Sequence, residues 1–440
     1  MRRLSLFWCA FWIGCTGPAP EGDGSNAPDV EELPTVVGDI AVTGPLGEVP
    51  DVTMHVDAEC GTGVALGAVE GLRRWPYLQN VRQTSAVVAW GVEAGSEEAA
   101  LRMYEPGKQD AAIRVVASRR SLAVSTPFDL VDARLANLRP GTTYCYALDS
   151  GKTELAGARS FTTAPSDQEA AVKFFVLGDF GNSYPAQKQV RDQMDLAKEG
   201  VEFWVTTGDN AYSSGTYDQF EEHVFGIYPE MLGLIPIYPT PGNHDWGMGN
   251  LDAYLDNFFL PENALAEADR ESYYSFDYGP LHFLMLDSER GKLAISDERL
   301  DDMRDFAVAD LQGVSRPWKI AVFHHPIISG MPGRESDVLM ADNFSSLFEE
   351  HGVQLVLAGH NHMYERFVPL KSGVPASDGI TYVTTGGGGA SLYGAGTNKN
   401  LVAVESVNHF MVVEADACEL RARAIDSSGK EIDTFTLSQC

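Results

Sequence analysis

Nine residues that can bind a metal ion or move a proton follow five apolar segments of this sequence. Each segment ends at an Asp, Asn or His, usually near a glycine. The nine are Asp179, Asp209, Tyr212, Asn243, His244, His324, His325, His360 and His362. Carboxylate and imidazole groups together favour transition metals such as Fe, Mn and Zn. The set contains no cysteine and exceeds the needs of one four-coordinate ion, so it predicts two neighbouring ions that share a carboxylate.

The spacing of His360 and His362 favours this interpretation. Residues i and i+2 of an extended segment point to the same side of the backbone, so each imidazole can serve one ion of a pair. We expect Gly359 to let the chain leave its strand sharply. Taken singly, each residue has an ordinary alternative: an Asp after a strand caps a helix, and paired histidines lie on the surface. Five such endings in one region favour the metal site.

The segments have the pattern of an α/β core. Buried strands are predicted at FFVLGD, FWVTTGD, IPIYPTPGNHD, KIAVFHHP and QLVLAGHNH. Amphipathic helices are predicted at PAQKQVRDQMDLAKE, DERLDDMRDFAVADL and DNFSSLFEEHG, with an inserted hairpin at Ser272–Leu286. Ligands of open α/β folds bind beyond the carboxyl ends of the strands. The five endings should therefore converge on one rim within a catalytic domain at residues 172–415, completed by strands at residues 416–440.

The chain ahead of this core divides into three parts. Residues 72–164 show short alternating strands and frequent turns, typical of a small β-sandwich. Residues 16–60 are acidic and rich in proline, which predicts a disordered linker. Residues 1–15 have the basic start and short apolar run of an export signal. The stretch WIGC, ending at Cys15, is similar to a lipoprotein cleavage box, so lipidation of Cys15 and ordinary cleavage nearby both stay open.

The net charge of the 440-residue chain is −30. Such a charge argues against nucleic acid as a partner, since phosphate backbones are bound by Lys and Arg. It does not exclude a small phosphate substrate, because bound metal ions can invert the local field.

Four cysteines remain after the export signal, and exported chains form disulfides. More than one pairing is possible; we favour Cys60–Cys145 and Cys418–Cys440. Together with the signal, they predict an exported protein: periplasmic, at the cell surface or secreted, with a lipid anchor on Cys15 as one alternative.

The strand-end motifs resemble those of the calcineurin-like metallophosphoesterases. The matching stretches are GDFG, GDNAY, GNHD and GHNHMYER, and the tyrosine and the MYER continuation are similar to the purple acid phosphatase branch. That resemblance implies an α/β sandwich of two β-sheets flanked by helices. The sandwich region ahead of it looks like a fibronectin type III domain, whose corner tyrosine would be Tyr144.

The resemblance also implies a role for each residue. Asp179, Tyr212 and His362 would hold the first ion, expected to be Fe(III). Asn243, His324 and His360 would hold a divalent Fe, Zn or Mn ion, and Asp209 would bridge. His244 would face the substrate. The chain departs from the branch at Asp245, where Glu is usual. We favour His324 over His325 as the ligand, with His325 as a catalytic substrate contact.

These features predict an acid phosphatase that hydrolyses monoesters by attack of metal hydroxide. A phosphodiesterase acting on nucleotides or lipids with the same site is an alternative, because the pocket walls are not evident from the sequence. A non-catalytic cell-surface binding module is the alternative of another class. The GGGG stretch at Gly386–Gly389 predicts either a backbone contact to phosphate or a tight turn.

Overall fold

The computed structural model describes residues 35–36, 60, 71–247, 249–289, 297–334 and 336–440. The signal predicted at residues 1–15, the lipidation alternative at Cys15 and nearly all of the linker predicted at residues 16–60 lie outside these residues. Across the described ranges, every helix is too short or too polar to cross a bilayer.

The first part of the described chain is a β-sandwich, as its turn signals predict. A sheet in the order β1-β5-β4-β8-β9 and a sheet in the order β2-β3-β7-β6 enclose a core that includes Trp90 and Leu148. The backbone amide of Arg139 donates to the hydroxyl of Tyr144 at 2.9 Å, the contact expected of a corner tyrosine. The strands are β1 (Thr35–Val36), β2 (Leu72–Gln79), β3 (Ala86–Glu93), β4 (Ala99–Tyr104), β5 (Ile113–Val116), β6 (Ser118–Ser121), β7 (Phe128–Leu135), β8 (Thr143–Ser150) and β9 (Thr153–Thr162).

Two mixed sheets follow the sandwich. The first is ordered β12-β11-β10-β22-β23-β24, and the second β13-β14-β15-β16-β20-β17-β21. Their strands, with the separate β18–β19 pair, are β10 (Val172–Leu177), β11 (Phe203–Thr206), β12 (Ile237–Pro239), β13 (Tyr274–Tyr278), β14 (Leu281–Met285), β15 (Trp318–Val322), β16 (Leu355–Ala358), β17 (Tyr364–Phe367), β18 (Leu370–Lys371), β19 (Val374–Pro375), β20 (Thr381–Thr385), β21 (Leu401–Glu405), β22 (His409–Ala415), β23 (Glu419–Asp426) and β24 (Glu431–Ser438).

The helices are α1 (Pro185–Ala197), α2 (Tyr217–Phe220), α3 (Pro229–Leu232), α4 (Asp252–Asn257), α5 (Asp297–Gly313) and α6 (Val338–Glu350). The three predicted amphipathic helices are present as α1, α5 and α6, whereas the short helices α2, α3 and α4 were not predicted. The α6 helix begins four residues earlier than the predicted start at Asp342. Its cap is Asp337, whose side chain accepts the amide of Met340 at 2.9 Å.

Alternate residues of the central strands face two different cores, because side chains alternate along a strand. In β15, Ile320 and Val322 face the six-stranded sheet, while Ala321 faces α5 and α6. Between the sheets, the ring of Phe174 in β10 meets that of Phe283 in β14 at 5.3 Å. Burial on both faces explains the continuous apolar runs of these strands.

The sandwich and the α/β sheets share one hydrophobic core. Tyr77 of β2 and Leu130 of β7 belong to the same buried cluster as Phe225 and Phe258, and all described residues fall in one compact unit. The division into domains at residues 72–164, 172–415 and 416–440 therefore stays a prediction. The strands predicted in the tail are confirmed, and they extend the sheet that contains β10.

Both favoured disulfides are present. Cys60 pairs with Cys145, and Cys418 pairs with Cys440. Disulfides persist in oxidising compartments, so they indicate an extracytoplasmic protein.

Candidate metal centre

The five strand endings converge, although they belong to two different sheets. Asp179, Asp209 and Asn243 follow β10, β11 and β12 of the six-stranded sheet, whereas the histidine pairs follow β15 and β16 of the other. The carboxyl ends of all five strands meet at one side of the pair of sheets. The predicted convergence of these residues on one rim is therefore what the fold produces.

One group of predicted ligands surrounds the hydroxyl of Tyr212. That oxygen lies 3.2 Å from Asp179 Oδ1, 3.0 Å from Asp209 Oδ2 and 3.2 Å from His362 Nε2. His362 Nδ1 donates to the carbonyl of Ser391 at 2.7 Å, which leaves Nε2 directed at the group. The donor atoms of Asp179, Asp209 and His362 all lie within 4.8 Å of one another.

A second group surrounds the side-chain oxygen of Asn243. This Oδ1 lies 3.1 Å from His324 Nε2 and 3.0 Å from His360 Nδ1. His324 Nδ1 donates to the carbonyl of Thr207 at 2.8 Å, so its Nε2 faces the group. A metal-binding histidine is oriented by such a hydrogen bond from its other ring nitrogen.

Asp209 lies between the two groups. Its Oδ2 is 3.0 Å from the Tyr212 hydroxyl in the first group and 3.3 Å from His324 Nε2 in the second. Its Oδ1 accepts the backbone amide of His244 at 2.8 Å. Of the nine predicted residues, Asp209 is thus the one whose carboxylate can reach both groups.

Two buried carboxylates, Asp179 and Asp209, shape the electrostatics of the cluster. Burial opposes ionisation of His324, yet Asp209 and Asp179 raise its pKa to about 10. Burial and the same two carboxylates raise the pKa of Tyr212 well above 10. In the metal-free protein the two carboxylates therefore favour a protonated imidazole at His324 and a neutral phenol at Tyr212. Oxygen and nitrogen donors in two adjoining groups fit a pair of transition-metal ions.

His244 and His325 flank the two groups. His244 Nδ1 donates to the carbonyl of Ser213 at 2.7 Å, and Nε2 lies 3.9 Å from Asp209 Oδ2. His325 Nδ1 is 3.1 Å from Ser288 Oγ, and its Nε2 is 3.9 Å from Glu289 Oε2. His325 also has a ring nitrogen within 4.8 Å of those of His324 and His360.

The backbone around His360 differs from the prediction. The segment is not extended, because His360 has a φ of +66°. His360 and His362 face separate groups through this turn rather than through alternation along a strand. Gly359 does not make the bend. A Cβ at position 359 would collide with the Asp179 carboxylate and the carbonyl of Thr207, so glycine is needed there for close approach.

The GGGG stretch serves packing. The amide of Gly386 donates to the carbonyl of Met363 at 3.2 Å, and that of Gly388 donates to Gly178 at 2.8 Å. Side chains at these positions would meet the loop that carries Asp179. With these amides used internally, the tight-turn alternative fits the structure better than the phosphate contact.

Three residues at the centre were missed by the sequence analysis as parts of the site. Asp245 is buried and accepts the amides of Gly242 at 2.8 Å and Asn210 at 3.1 Å, which joins the two loops that carry Asp209 and Asn243. Burial and Asp209 raise the pKa of Asp245 to about 7. Arg334 and Tyr393, in loops without a recognisable pattern, contact His360 and His362.

Comparison with known proteins places this geometry in a family. Residues 172–364 match the model of the calcineurin-like phosphoesterases. The chain is 27% identical to purple acid phosphatase 21 of Arabidopsis thaliana over 58% of this chain and 57% of that protein. It is 23% identical to the probable inactive purple acid phosphatase 1 of the same plant, over 72% of this chain and 58% of that protein. These matches span less than two thirds of either relative.

A solved structure shows the same fold. The purple acid phosphatase from yellow lupin (Lupinus luteus) seeds aligns with a TM-score of 0.72 and 20% identity, covering 82% of this chain and 74% of that chain. Residues 172–364, which contain all nine predicted site residues, match the calcineurin-like phosphoesterases. The chain is related to the purple acid phosphatases and has a β-sandwich ahead of its two mixed sheets.

Proposed function

We propose that this protein is an extracytoplasmic acid phosphatase that hydrolyses small phosphate monoesters with two metal ions. The observation that carries the proposal is Asp209, whose Oδ2 lies between a Tyr212–His362 group and a group containing His324. A carboxylate shared by two sets of donors is the arrangement that a binuclear phosphoesterase needs. One of the relatives is a probable inactive enzyme, so the proposal rests on this ligand set rather than on similarity.

Each residue has a role in the proposal. Asp179, Tyr212 and His362 would hold the first ion, Asn243, His324 and His360 would hold the second, and Asp209 would be shared by both. Two such ions, when bound, lower the pKa of water and polarise the phosphoryl group. His244 and His325, at the edge of the centre, contact the phosphoryl oxygens, and either can protonate the leaving oxygen as a general acid.

Tyr212 supports Fe(III) as the first ion, with Fe, Zn or Mn(II) as the second. Burial and two carboxylates keep its phenol protonated in the metal-free protein. A cation beside the phenol lowers its pKa, and a trivalent ion does so more strongly than a divalent ion. We expect visible absorption from an iron–tyrosinate bond in the isolated protein and its loss in Tyr212→Phe. A colourless, active wild-type protein loaded with two zinc ions would contradict the iron assignment alone.

The test of function is hydrolysis of p-nitrophenyl phosphate beside bis-p-nitrophenyl phosphate by the full chain. We expect the monoester to be preferred. Asp209→Asn should lower turnover by more than about 100-fold, because even groups outside the first coordination sphere are worth about 10- to 100-fold. Metal analysis should show loss of at least one ion.

Asp305→Asn is the matched control, since it removes one carboxylate from the exposed face of α5. It should leave turnover and metal content unchanged. A wild-type preference for the diester would favour the phosphodiesterase alternative. If the wild type bound two ions and hydrolysed neither ester nor any of a panel of monoesters, the phosphatase proposal would be wrong.

A further inference from the structure

A guanidinium group lies against the second group of predicted ligands. Arg334, in the loop between β15 and α6, places Nη1 3.0 Å from His360 Nε2 and 3.2 Å from the His360 carbonyl. Its backbone amide donates to the carbonyl of Met331 at 3.0 Å, which fixes the loop locally. Arg334 is therefore adjacent to a predicted ligand of the second ion, on the side away from Asn243.

An aromatic ring holds this guanidinium in place and links it to the first group. The Arg334 guanidinium carbon lies 4.8 Å from the centre of the Tyr393 ring. The same ring stacks on the imidazole of His362 at 4.2 Å, with 9° between the planes. The amide of Tyr393 donates to the carbonyl of His362 at 3.1 Å. Arg334 and Tyr393 thus form a continuous wall beside both groups.

The ion pairs of the described residues set Arg334 apart from most other arginines. Among the described residues, no carboxylate forms an ion pair with it, although most arginines of this acidic chain have one. Within the same ranges, it is also the one Lys or Arg side chain that contacts any of the nine predicted site residues. Its place beside His360 brings a cationic group to the edge of the predicted metal centre, where an anionic ligand would bind.

We propose that Arg334 is a substrate-binding residue that donates to a phosphoryl oxygen and favours monoesters over diesters. This inference rests on the proposed function. The planar fork of a guanidinium matches the oxygens of phosphate. A monoester near neutral pH carries up to two negative charges on its phosphoryl group, whereas a diester carries one. A cation at this position therefore stabilises the bound monoester more. Tyr393 acts as a positioning residue by stacking under the guanidinium.

The first test compares the full-length wild type with Arg334→Gln and Arg334→Lys. We expect Arg334→Gln to lower kcat/KM for p-nitrophenyl phosphate about 10- to 100-fold, in the range of a lost hydrogen bond to a charged group. The loss for bis-p-nitrophenyl phosphate should be only a few-fold, and Arg334→Lys should fall between wild type and Gln for the monoester. Metal content should not change, because Arg334 is not a ligand.

Binding of inorganic phosphate, measured by calorimetry on the metal-loaded proteins, gives a readout that does not depend on turnover. Arg334→Gln should weaken phosphate binding by about the same factor. Arg423→Gln is the matched control: Arg423 lies in β23 with a half-exposed side chain and a 3.9 Å contact to Glu431. It should change neither binding nor turnover.

Two outcomes would overturn the inference. Equal losses on both esters with reduced metal content would assign Arg334 a purely structural role at His360. Unchanged phosphate binding in Arg334→Gln would exclude contact with phosphate. Failure of the proposed function is distinguishable, because a wild type without esterase activity still reports the effect of Arg334 through phosphate binding.

Tyr393 is tested separately. Tyr393→Leu should show part of the loss of monoester selectivity expected for Arg334→Gln, because the guanidinium loses the ring against which it packs. Tyr393→Phe keeps the ring and should retain wild-type selectivity. Equal behaviour of the two variants would show that stacking does not position Arg334.

Discussion

The metal centre and the contact between the sandwich and the α/β sheets both bury charged side chains. The groups that offset these charges differ between the two regions. At the contact, Arg74 is buried among a partner carboxylate from Glu221, the side-chain oxygen of Asn257 at 2.7 Å and the Tyr77 hydroxyl at 3.2 Å. At the centre, Asp179 and Asp209 are both buried, and in the metal-free protein they favour the protonated form of His324.

The backbone of the metal centre adopts conformations that are costly for residues other than glycine. Asp179, Asp209 and His360 all have positive φ values, of +57°, +52° and +66°. Such conformations in residues other than glycine cost on the order of 1–3 kcal/mol each and persist where surrounding structure enforces them. The centre is therefore held in place at a cost in stability. The shared core and its polar contacts, including the 2.6 Å hydrogen bond from the Tyr146 hydroxyl to the Gly233 carbonyl, offset that cost.

The largest expected effects are those of substitutions at His324 and His325, which test which of the two is a metal ligand. In His324→Ala, we expect at least one metal ion to be lost and turnover to fall by more than about 100-fold, because Nε2 faces Asp209 and Asn243. In His325→Ala, turnover should also fall, by about 100-fold for a lost general acid or phosphate contact, but both ions should stay bound. Metal analysis on the purified variants separates the two.

The result would reverse our assignment if His325→Ala lost more metal than His324→Ala. Both variants should keep the thermal stability of the metal-free wild type within a few degrees, since neither histidine is needed for the sandwich contact. Calorimetry after chelation checks this point.

The second prediction concerns the stability that Arg74 contributes at the contact between the sandwich and the α/β sheets. Arg74→Met should destabilise the protein by about 1–3 kcal/mol, because it leaves the side-chain oxygens of Asn257 and of the partly buried Glu221 without their donor. Metal content and turnover per folded molecule should stay at wild-type levels. Denaturant unfolding and metal analysis measure the two quantities.

Arg73→Met is the control for this prediction. Arg73 precedes Arg74 in the same strand, but its side chain is 46% exposed and pairs with Glu93 at the surface, whereas that of Arg74 is 1% exposed. Exposed pairs contribute about 0–1 kcal/mol. Equal effects of the two substitutions would mean that the contact does not carry the stability that we assign to it.

These two arginines show what the sequence can and cannot predict. The predicted ligands could be recognised from the sequence because each lies at or just after the end of an apolar strand, which is a local pattern. Arg73 and Arg74 are adjacent in the sequence, and no local pattern distinguishes them. Arg74 is the buried one because it contacts Glu221 and Asn257, which lie 147 and 183 residues further along the chain. Arg334 was missed for the same reason, since its meeting with His360 and Tyr393 is created by the fold.

The conformation of single residues was also beyond local patterns. The i and i+2 argument predicted that His360 and His362 serve separate groups, but its premise of an extended backbone was wrong. The backbone turns at His360, whose amide donates to the Asp179 carboxylate at 2.9 and 3.1 Å. The start of α6 was missed because both Asp337 and Asp342 can cap a helix.

The smallest expected effect concerns His282 in β14, whose two ring nitrogens each have a carboxylate partner. Its Nδ1 lies 2.8 Å from Asp277 Oδ1 and its Nε2 2.7 Å from Asp310 Oδ2, while Arg316 pairs with the other oxygen of Asp277 at 3.1 Å. Burial lowers its pKa, but the two carboxylates prevail and raise it above the usual value. In contrast to His324, both of its ring nitrogens already face carboxylates, so we assign it no metal.

Replacing His282 with Gln should therefore cost about 1–2 kcal/mol through lost hydrogen bonds to charged groups, with a definite pH dependence. A raised pKa in the folded state means that the imidazolium stabilises fully below the unfolded-state pKa of about 6.5 and progressively less as pH rises through the folded-state pKa. The difference in unfolding free energy between wild type and His282→Gln should be larger near pH 5.5 than near pH 9. Denaturant titrations of the metal-free proteins at the two pH values measure this difference. A difference that is equal at both values would show that His282 acts through packing alone, and the contrast with His324 would then rest on geometry rather than on charge.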